Sequence, residues 1–191
     1  MVGDNIVSDR NLLNKFVTDF VRVLDEHKIE YIIVSGFVAI SHGRSRGTED
    51  IDVIIEKLSK DRFFELNNSL ISAGFECLQG KNSLDLYEDY LSDFLSIRYV
   101  YKGSFVPEME LKFAKDALDE YQLEKKVKLP LTKLPFWFSN IETNIAFKEE
   151  LLKSPKDIDD SRHLRIIYSN KLDQKEIDTV KKLIKKYRLN K

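Results

Sequence analysis

Apolar positions along the chain repeat first at helical spacing, then at strand spacing, then at helical spacing again. Leu12, Leu13, Phe16, Val17, Phe20, Val21 and Leu24 follow the helical period and predict a first helix of about twenty residues, with Ser8 or Asp9 as its cap. Tyr31-Ile32-Ile33-Val34 is an almost unbroken apolar run, which predicts a short buried strand. Gly36 follows, and Phe37 to Ile40 predicts a short helix. A polar loop from His42 to Glu49 leads into Ile51-Asp52-Val53-Ile54-Ile55, a second buried strand. Ser59 caps the next helix and Gly74 ends it, before a short strand over Phe75 to Leu78. Leu84, Leu86, Tyr87, Tyr90 and Leu91 indicate a short helix with an acidic face. Then Leu95, Ile97, Tyr99 and Tyr101 alternate with other residues, Lys102-Gly103-Ser104 turns the chain, and Met109, Leu111 and Phe113 alternate again. This is the pattern of a β-hairpin.

From residue 139 the pattern is helical throughout. Ser139-Asn140-Ile141-Glu142 reads as a capping box, Ser154-Pro155-Lys156-Asp157 as a cap followed by proline at the first helical position, and Asp173-Gln174-Lys175-Glu176 as a third start, with Leu172 stapled onto Ile177. The order predicts an α+β fold: a mixed β-sheet flanked by helices, then a C-terminal helical bundle. The stretch Pro130 to Pro135 is the natural seam, which divides an α/β core at 1–134 from a helical subdomain at 135–191.

Composition narrows the class. The chain has 191 residues, 42% hydrophobic and 33% charged, so a packed core is expected rather than disorder. The formal net charge of −1 supplies no global field for a polyanion, so any such site must be a local patch. The single cysteine, Cys77, excludes an internal disulfide and fits a reducing, cytoplasmic setting. No apolar run is long enough to span a membrane, and Met1-Val2-Gly3-Asp4 has no leader pattern. Near the C-terminus, Lys181, Lys182, Lys185, Lys186, Arg188 and Lys191 form a basic run without an acid. It reads as a solvated helix face or as a local nucleic-acid patch.

One feature of the second strand asks for chemistry. Side chains two residues apart on a strand share a face, so Asp50 and Asp52 point the same way, roughly 6–7 Å apart along the backbone. Aspartate is a poor strand residue, and two like charges beside Ile51, Val53 and Ile55 repel each other. A cation must offset them: an arginine such as Arg44 or Arg46, or a divalent metal ion such as Mg²⁺. Upstream, a buried strand ends at Ser35-Gly36 where a helix starts, an arrangement suited to phosphate binding through free N–H groups.

These residues resemble the nucleotidyltransferase superfamily of DNA polymerase β. Its pattern is a small pair, a spacer, and then Asp-hydrophobic-Asp/Glu-hydrophobic. Here it reads Ser35-Gly36, residues 37–49, and Asp50-Ile51-Asp52-Val53. More narrowly, Val34 to Ala39, His42-Gly43-Arg44, Arg46-x-Thr48 and Asp50-Ile51-Asp52 are similar to the AbiEii-type toxin nucleotidyltransferases and their uncharacterised relatives. So are Ser139 to Lys148 and Pro155-Lys156-Asp157-Ile158-Asp159-Asp160. The chain departs from that group at Ser35, where glycine is usual.

The resemblance implies a nucleotidyltransferase-like sheet and a metal-dependent transfer of a nucleoside monophosphate from an NTP such as ATP. Asp50, Asp52 and a third carboxylate would hold Mg²⁺ or Mn²⁺. Ser35, Gly36, Arg46, Thr48 and Lys148 would contact the nucleotide. Glu108, Glu110 and Lys112 share one face of the second hairpin strand. Glu110, central in Met109-Glu110-Leu111, is the chosen third acid, with Glu108 as rival. A register that set Arg98 opposite the aspartates would leave the face without that acid. Lys148 reads otherwise as a solvated residue paired with Glu149 or Glu150, and Asp157 and Asp160 as residues that cap and orient the next helix.

The implied acceptor is a hydroxyl of tRNA or of a protein, in a toxin–antitoxin or phage-defence setting with an antitoxin partner and no membrane. Two other classes stay open: a catalytically degenerate binding module or antitoxin-like partner on the same fold, and a nucleic-acid binder that uses the basic tail.

Overall fold

The computed structural model describes residues 2–45, 47–48 and 50–190. Helix α1 (Val2–Glu26) leads to strand β1 (Tyr31–Val34), helix α2 (Gly36–Ser41), β2 (Asp50–Ile55), α3 (Lys60–Ser72), β3 (Phe75–Cys77), α4 (Ser83–Glu88), β4 (Ile97–Tyr101) and β5 (Glu108–Phe113). Helices α5 (Ala117–Glu124), α6 (Ile141–Phe147), α7 (Pro155–Ile167) and α8 (Gln174–Ile184) complete the chain. The strands form a mixed sheet in the order β1-β2-β5-β4-β3. Strand β5 is parallel to β2 and antiparallel to β4, and β4 is antiparallel to β3. The α+β class expected from the periodicity is the one observed.

The chain divides into two compact units. One comprises Met1–Tyr31 and Glu49–Phe113, the other Ile32–Thr48 and Ala114–Lys191. The seam expected at Pro130 to Pro135 falls inside the second unit.

In the first unit the apolar stripe of α1 meets aromatic residues of β3 and β4. Phe16 and Phe20 pack edge-on against Phe75, with ring centroids 5.6 and 5.2 Å apart, and Phe16 meets Tyr101 at 5.0 Å. Such contacts add to the burial of some of the largest side chains in the unit. The helix begins at Val2, several residues before the expected cap, so Ser8 and Asp9 lie inside it. Strand β5 alternates as its sequence requires: Met109, Leu111 and Phe113 are buried, while Glu108, Glu110 and Lys112 are half-buried on the other face.

In the second unit Phe138 is a backbone hub. It bridges to Ile33 on one side and Val127 on the other, and Val127 and Phe138 exchange two N–H···O bonds of 2.9 Å. Ser154 caps α7 and Asp173 caps α8 as expected. Helix α6 is capped by Asn140, one residue after the expected Ser139, whose hydroxyl instead bonds Gln122. Helix α5 was not foreseen; Asp116 caps it.

Three residues of the basic C-terminal run, Lys181, Lys185 and Arg188, are paired within this unit. Lys181 donates to Glu149 at 2.7 Å, Lys185 lies 3.8 Å from Glu150, and Arg188 pairs with Asp116 and, at 2.7 Å, with Asp119. Glu149 also accepts from Arg165 at 2.6 and 2.9 Å and from Ser161 at 2.6 Å. Burial works to raise the Glu149 carboxyl, but its bonds to Arg165, Lys181 and Ser161 outweigh that and bring it down from 4.5 to about 2.

A carboxyl lowered on folding stabilises the fold above its unfolded value and loses that contribution as pH falls through the folded one. The wild-type melting temperature should therefore fall between about pH 4.5 and pH 2, partly through Glu149. Glu149→Gln should flatten that dependence and cost about 1–2 kcal/mol at pH 7, as read from thermal melts across the pH series.

Candidate active site

The acidic face belongs to the first unit. In the parallel pair, Asp50 stands opposite Glu108 and Asp52 opposite Glu110. Asp50 and Glu108 open their strands, and Asp52 and Glu110 follow two residues later, so period two puts all four carboxylates on one face. Ile51 and Val53 fill the other face and are fully buried. Asp50 is exposed and Asp52 half-buried. Strand β4 adds a cation. Arg98 stands opposite Glu110, and its side chain forks: Nε lies 3.3 Å from Glu108 and Nη2 3.1 Å from Glu110. Glu110 thus lies between Asp52 on one neighbouring strand and Arg98 on the other.

The small pair and its loop belong to the second unit. Gly36 begins α2 and is buried. Ser35, just before it, has φ +65° and ψ −132°, and its side chain makes no capping bond. That conformation suits glycine and costs a residue with a side chain roughly 1–3 kcal/mol. Gly43 turns the chain at φ +88°, after which Arg44 reaches helix α7, 3.3 Å from Asp159 and 3.4 Å from Asp160. Arg46 and Glu49 lie outside the described residues. Thr48 is half-buried at the end of this loop.

Lys148 is 1% exposed, at the point where α6 passes into a π turn over Lys148–Leu152. Its ammonium donates to Asp160 at 2.9 Å and Asp157 at 3.4 Å, so it is neither solvated nor paired with Glu149 or Glu150 as the alternative reading had it. Asp157 has ordinary helix-start contacts as well, since its backbone N–H bonds Ser154. Burial works to raise its carboxyl, but bonds to Ser154 and the Lys148 charge leave it below the ordinary range. Lys148, Asp157, Asp160 and Arg44 therefore form one largely buried charge cluster. Arg44 and Asp160 are far apart in sequence, and no local pattern links them.

The histidines have structural partners. His42 Nδ1 lies 2.7 Å from the Val38 carbonyl and its Nε2 2.7 Å from the Tyr168 hydroxyl. His163 contacts the His42 carbonyl at 3.0 Å and His27 contacts Ser69 at 2.8 Å. Half-buried Trp137 has Lys128 over its ring at 4.1 Å and Lys126 at 5.1 Å.

The donors on the acidic face fit a hard divalent cation in kind, all being carboxylate oxygens on adjacent strands. The fork of Arg98 across Glu108 and Glu110 marks the same face as one that takes a cation. Asp50, Asp52 and Glu110 would hold the ion. The cage is not preassembled: among the described residues, no three His, Cys, Asp or Glu side chains are grouped closely enough to bind a metal.

No family model matches the chain, and no curated protein matches it in sequence. Solved structures match it in fold. The solution structure of the antibiotic-resistance factor ANT(2'')-Ia is 10% identical, with 94% of this chain and 95% of that one covered at a TM-score of 0.57. An antigenic nucleotidyltransferase-like protein from Paracoccidioides brasiliensis is 16% identical, with coverages of 91% and 88% and a TM-score of 0.53. The crystal structure of ANT(2'')-Ia in complex with adenylyl-2''-tobramycin is 14% identical, with coverages of 89% and 95% and a TM-score of 0.53. At such identities the likeness is one of fold, and the chain has a nucleotidyltransferase-like fold.

Two substitutions separate strain from charge in the second unit. Ser35→Gly should stabilise by about 1 kcal/mol, since relief of the backbone strain exceeds the added freedom of the unfolded chain. Lys148→Ala should destabilise by about 3 kcal/mol, because it leaves Asp157 and Asp160 short of their buried cation. Denaturant titrations measure both.

Proposed function

We propose that the protein is a metal-dependent nucleotidyltransferase that moves a nucleoside monophosphate from an NTP to a hydroxyl acceptor. The observation that carries this reading is the parallel register of β2 and β5, which aligns Asp50 with Glu108 and Asp52 with Glu110 on a nucleotidyltransferase-like fold. Asp50, Asp52 and Glu110 are the proposed cation-binding carboxylates. A bound Mg²⁺ or Mn²⁺ would supply Lewis-acid polarisation of the α-phosphate and charge for the departing pyrophosphate.

The chain's own residues do the rest in this proposal. Ser35, Gly36, Arg46 and Thr48 contact the nucleotide, the backbone N–H groups of the small pair by hydrogen bonding and Arg46 by charge, and Lys148 joins them only by leaving its buried pairs with Asp157 and Asp160. The acceptor oxygen attacks the α-phosphorus in line; a new P–O bond forms as the bond to the β-phosphate bridging oxygen breaks. Glu110 takes the proton of the attacking hydroxyl. The acceptor classes are tRNA and protein hydroxyls, as in the AbiEii-type resemblance, with a toxin or phage-defence role and an antitoxin partner. The adenylyl-2''-tobramycin held by one matched structure adds a small-molecule hydroxyl to the candidates. A cytoplasmic setting belongs to the same proposal. No described helix is long and apolar enough to cross a membrane.

A second reading, a binding module that keeps the fold without the chemistry, has specific support: both glutamates of β5 are engaged by Arg98.

The two readings separate in one experiment. Purified protein is incubated with each α-labelled NTP, Mg²⁺, and either total RNA, cell lysate or a panel of hydroxyl-bearing small molecules. Transfer of label should appear in one pool and drop by at least about a hundredfold in Asp52→Asn. No label in any pool, together with no detectable Mg²⁺-NTP binding by calorimetry, would sink the transferase reading.

A further inference from the structure

We propose that Arg98 is a resident counter-cation of the acidic face, on its Glu108–Glu110 side, and sets how tightly that face takes a divalent metal ion. The inference rests on the transferase reading and adds a regulation of its site. Four carboxylates, of Asp50, Asp52, Glu108 and Glu110, share neighbouring positions on two parallel strands. Like charges placed directly opposite each other destabilise a sheet. Arg98, on the adjacent antiparallel strand, is in register with Glu110 and reaches Glu108 as well.

The backbone of Arg98 is pinned while its head group is not. Its N–H donates to Gln79 Oε1 at 2.8 Å, and its carbonyl accepts from the Leu78 N–H at 2.8 Å. Its side chain is 46% exposed, and Glu110's is 20% exposed. An ion pair this open to water is weak, worth up to about fivefold in an equilibrium constant. It is therefore strong enough to turn Glu110 toward β4 and weak enough to be displaced. Glu110 cannot give the same oxygen in full to Arg98 and to a divalent ion. The guanidinium holds Oε2 of Glu110, so a metal ion that needs that oxygen has to displace it, and its positive charge opposes the metal's arrival.

Calorimetry and Mn²⁺ electron paramagnetic resonance, without nucleotide, read the affinity directly. Arg98→Gln should bind Mn²⁺ about five- to tenfold more tightly than wild type, since both competition and repulsion are removed. In a Glu110→Gln background the same substitution should give little gain. Arg98→Lys, which keeps the charge and loses the fork, should fall between wild type and Arg98→Gln, and it decides the matter if Arg98→Gln does not fold. An affinity that is unchanged or weakened in Arg98→Gln, or a gain that persists without Glu110, overturns the role of Arg98. If label transfer is still seen then, the transferase reading stands without it. If Mn²⁺ binds to none of these proteins and no label is transferred, both fall.

Discussion

The structure turns on the parallel pairing of β2 with β5. Parallel strands present equivalent ends together, so acids near the start of each strand are brought side by side instead of to opposite ends. The register sets Asp50 against Glu108 and Asp52 against Glu110. On the reverse face, Ile51, Val53, Met109 and Leu111 are fully buried. A slip by one residue would turn the acids inward and the apolar set outward, so the hydrophobic core itself holds the carboxylates where they are. The cation they require is a consequence of packing, and Arg98 meets part of that requirement from β4.

The second unit solves a different electrostatic problem. Lys148, Asp157 and Asp160 are almost fully removed from water, where an unpaired charge costs several kcal/mol. Mutual pairing and Arg44 offset that cost, and the geometry ties three pieces of chain together: the end of α6, the start of α7, and the loop after α2. Arg44 lies on the segment that goes on to Arg46 and Thr48. The buried cluster therefore acts on that loop through the half-buried Arg44 side chain, whatever Lys148 does for a nucleotide.

How much of this was readable in advance depends on the range of the interaction. Period-two alternation exposed the face shared by Glu108 and Glu110, because alternation is a local property of the strand. The hairpin was equally local, marked by Lys102-Gly103-Ser104. The pairing of β5 with β2 was not, since it joins strands separated by more than fifty residues through contacts that leave no mark on either sequence. The Arg44–Asp160 pair is hidden for the same reason. The helix caps show a finer limit. Ser139 and Asn140 are both good caps, and the choice went to Asn140 because Ser139 is drawn into a buried bond with Gln122. Helix α5 is not marked in the sequence because Ala117–Glu124 offers only a weak apolar stripe; Leu118, Asp119 and Gln122 are its buried residues.

Ser35 and Arg98, each in its own unit, bear on the proposed function from opposite directions. Ser35 holds a glycine-like conformation with a side chain that caps nothing, so its strain is a cost that the surrounding packing bears. Residues in such conformations persist where the local backbone path itself is needed, and here that path leads into Gly36 and the buried turn of α2. Arg98 points the other way, since a guanidinium across Glu108 and Glu110 is what a face without a metal would settle for. In the proposed exchange Glu110 has two alternative partners, the arginine in the resting face and a metal ion when one binds. The exposure of the Arg98–Glu110 pair, which keeps it weak, is the physical condition that makes such an exchange feasible.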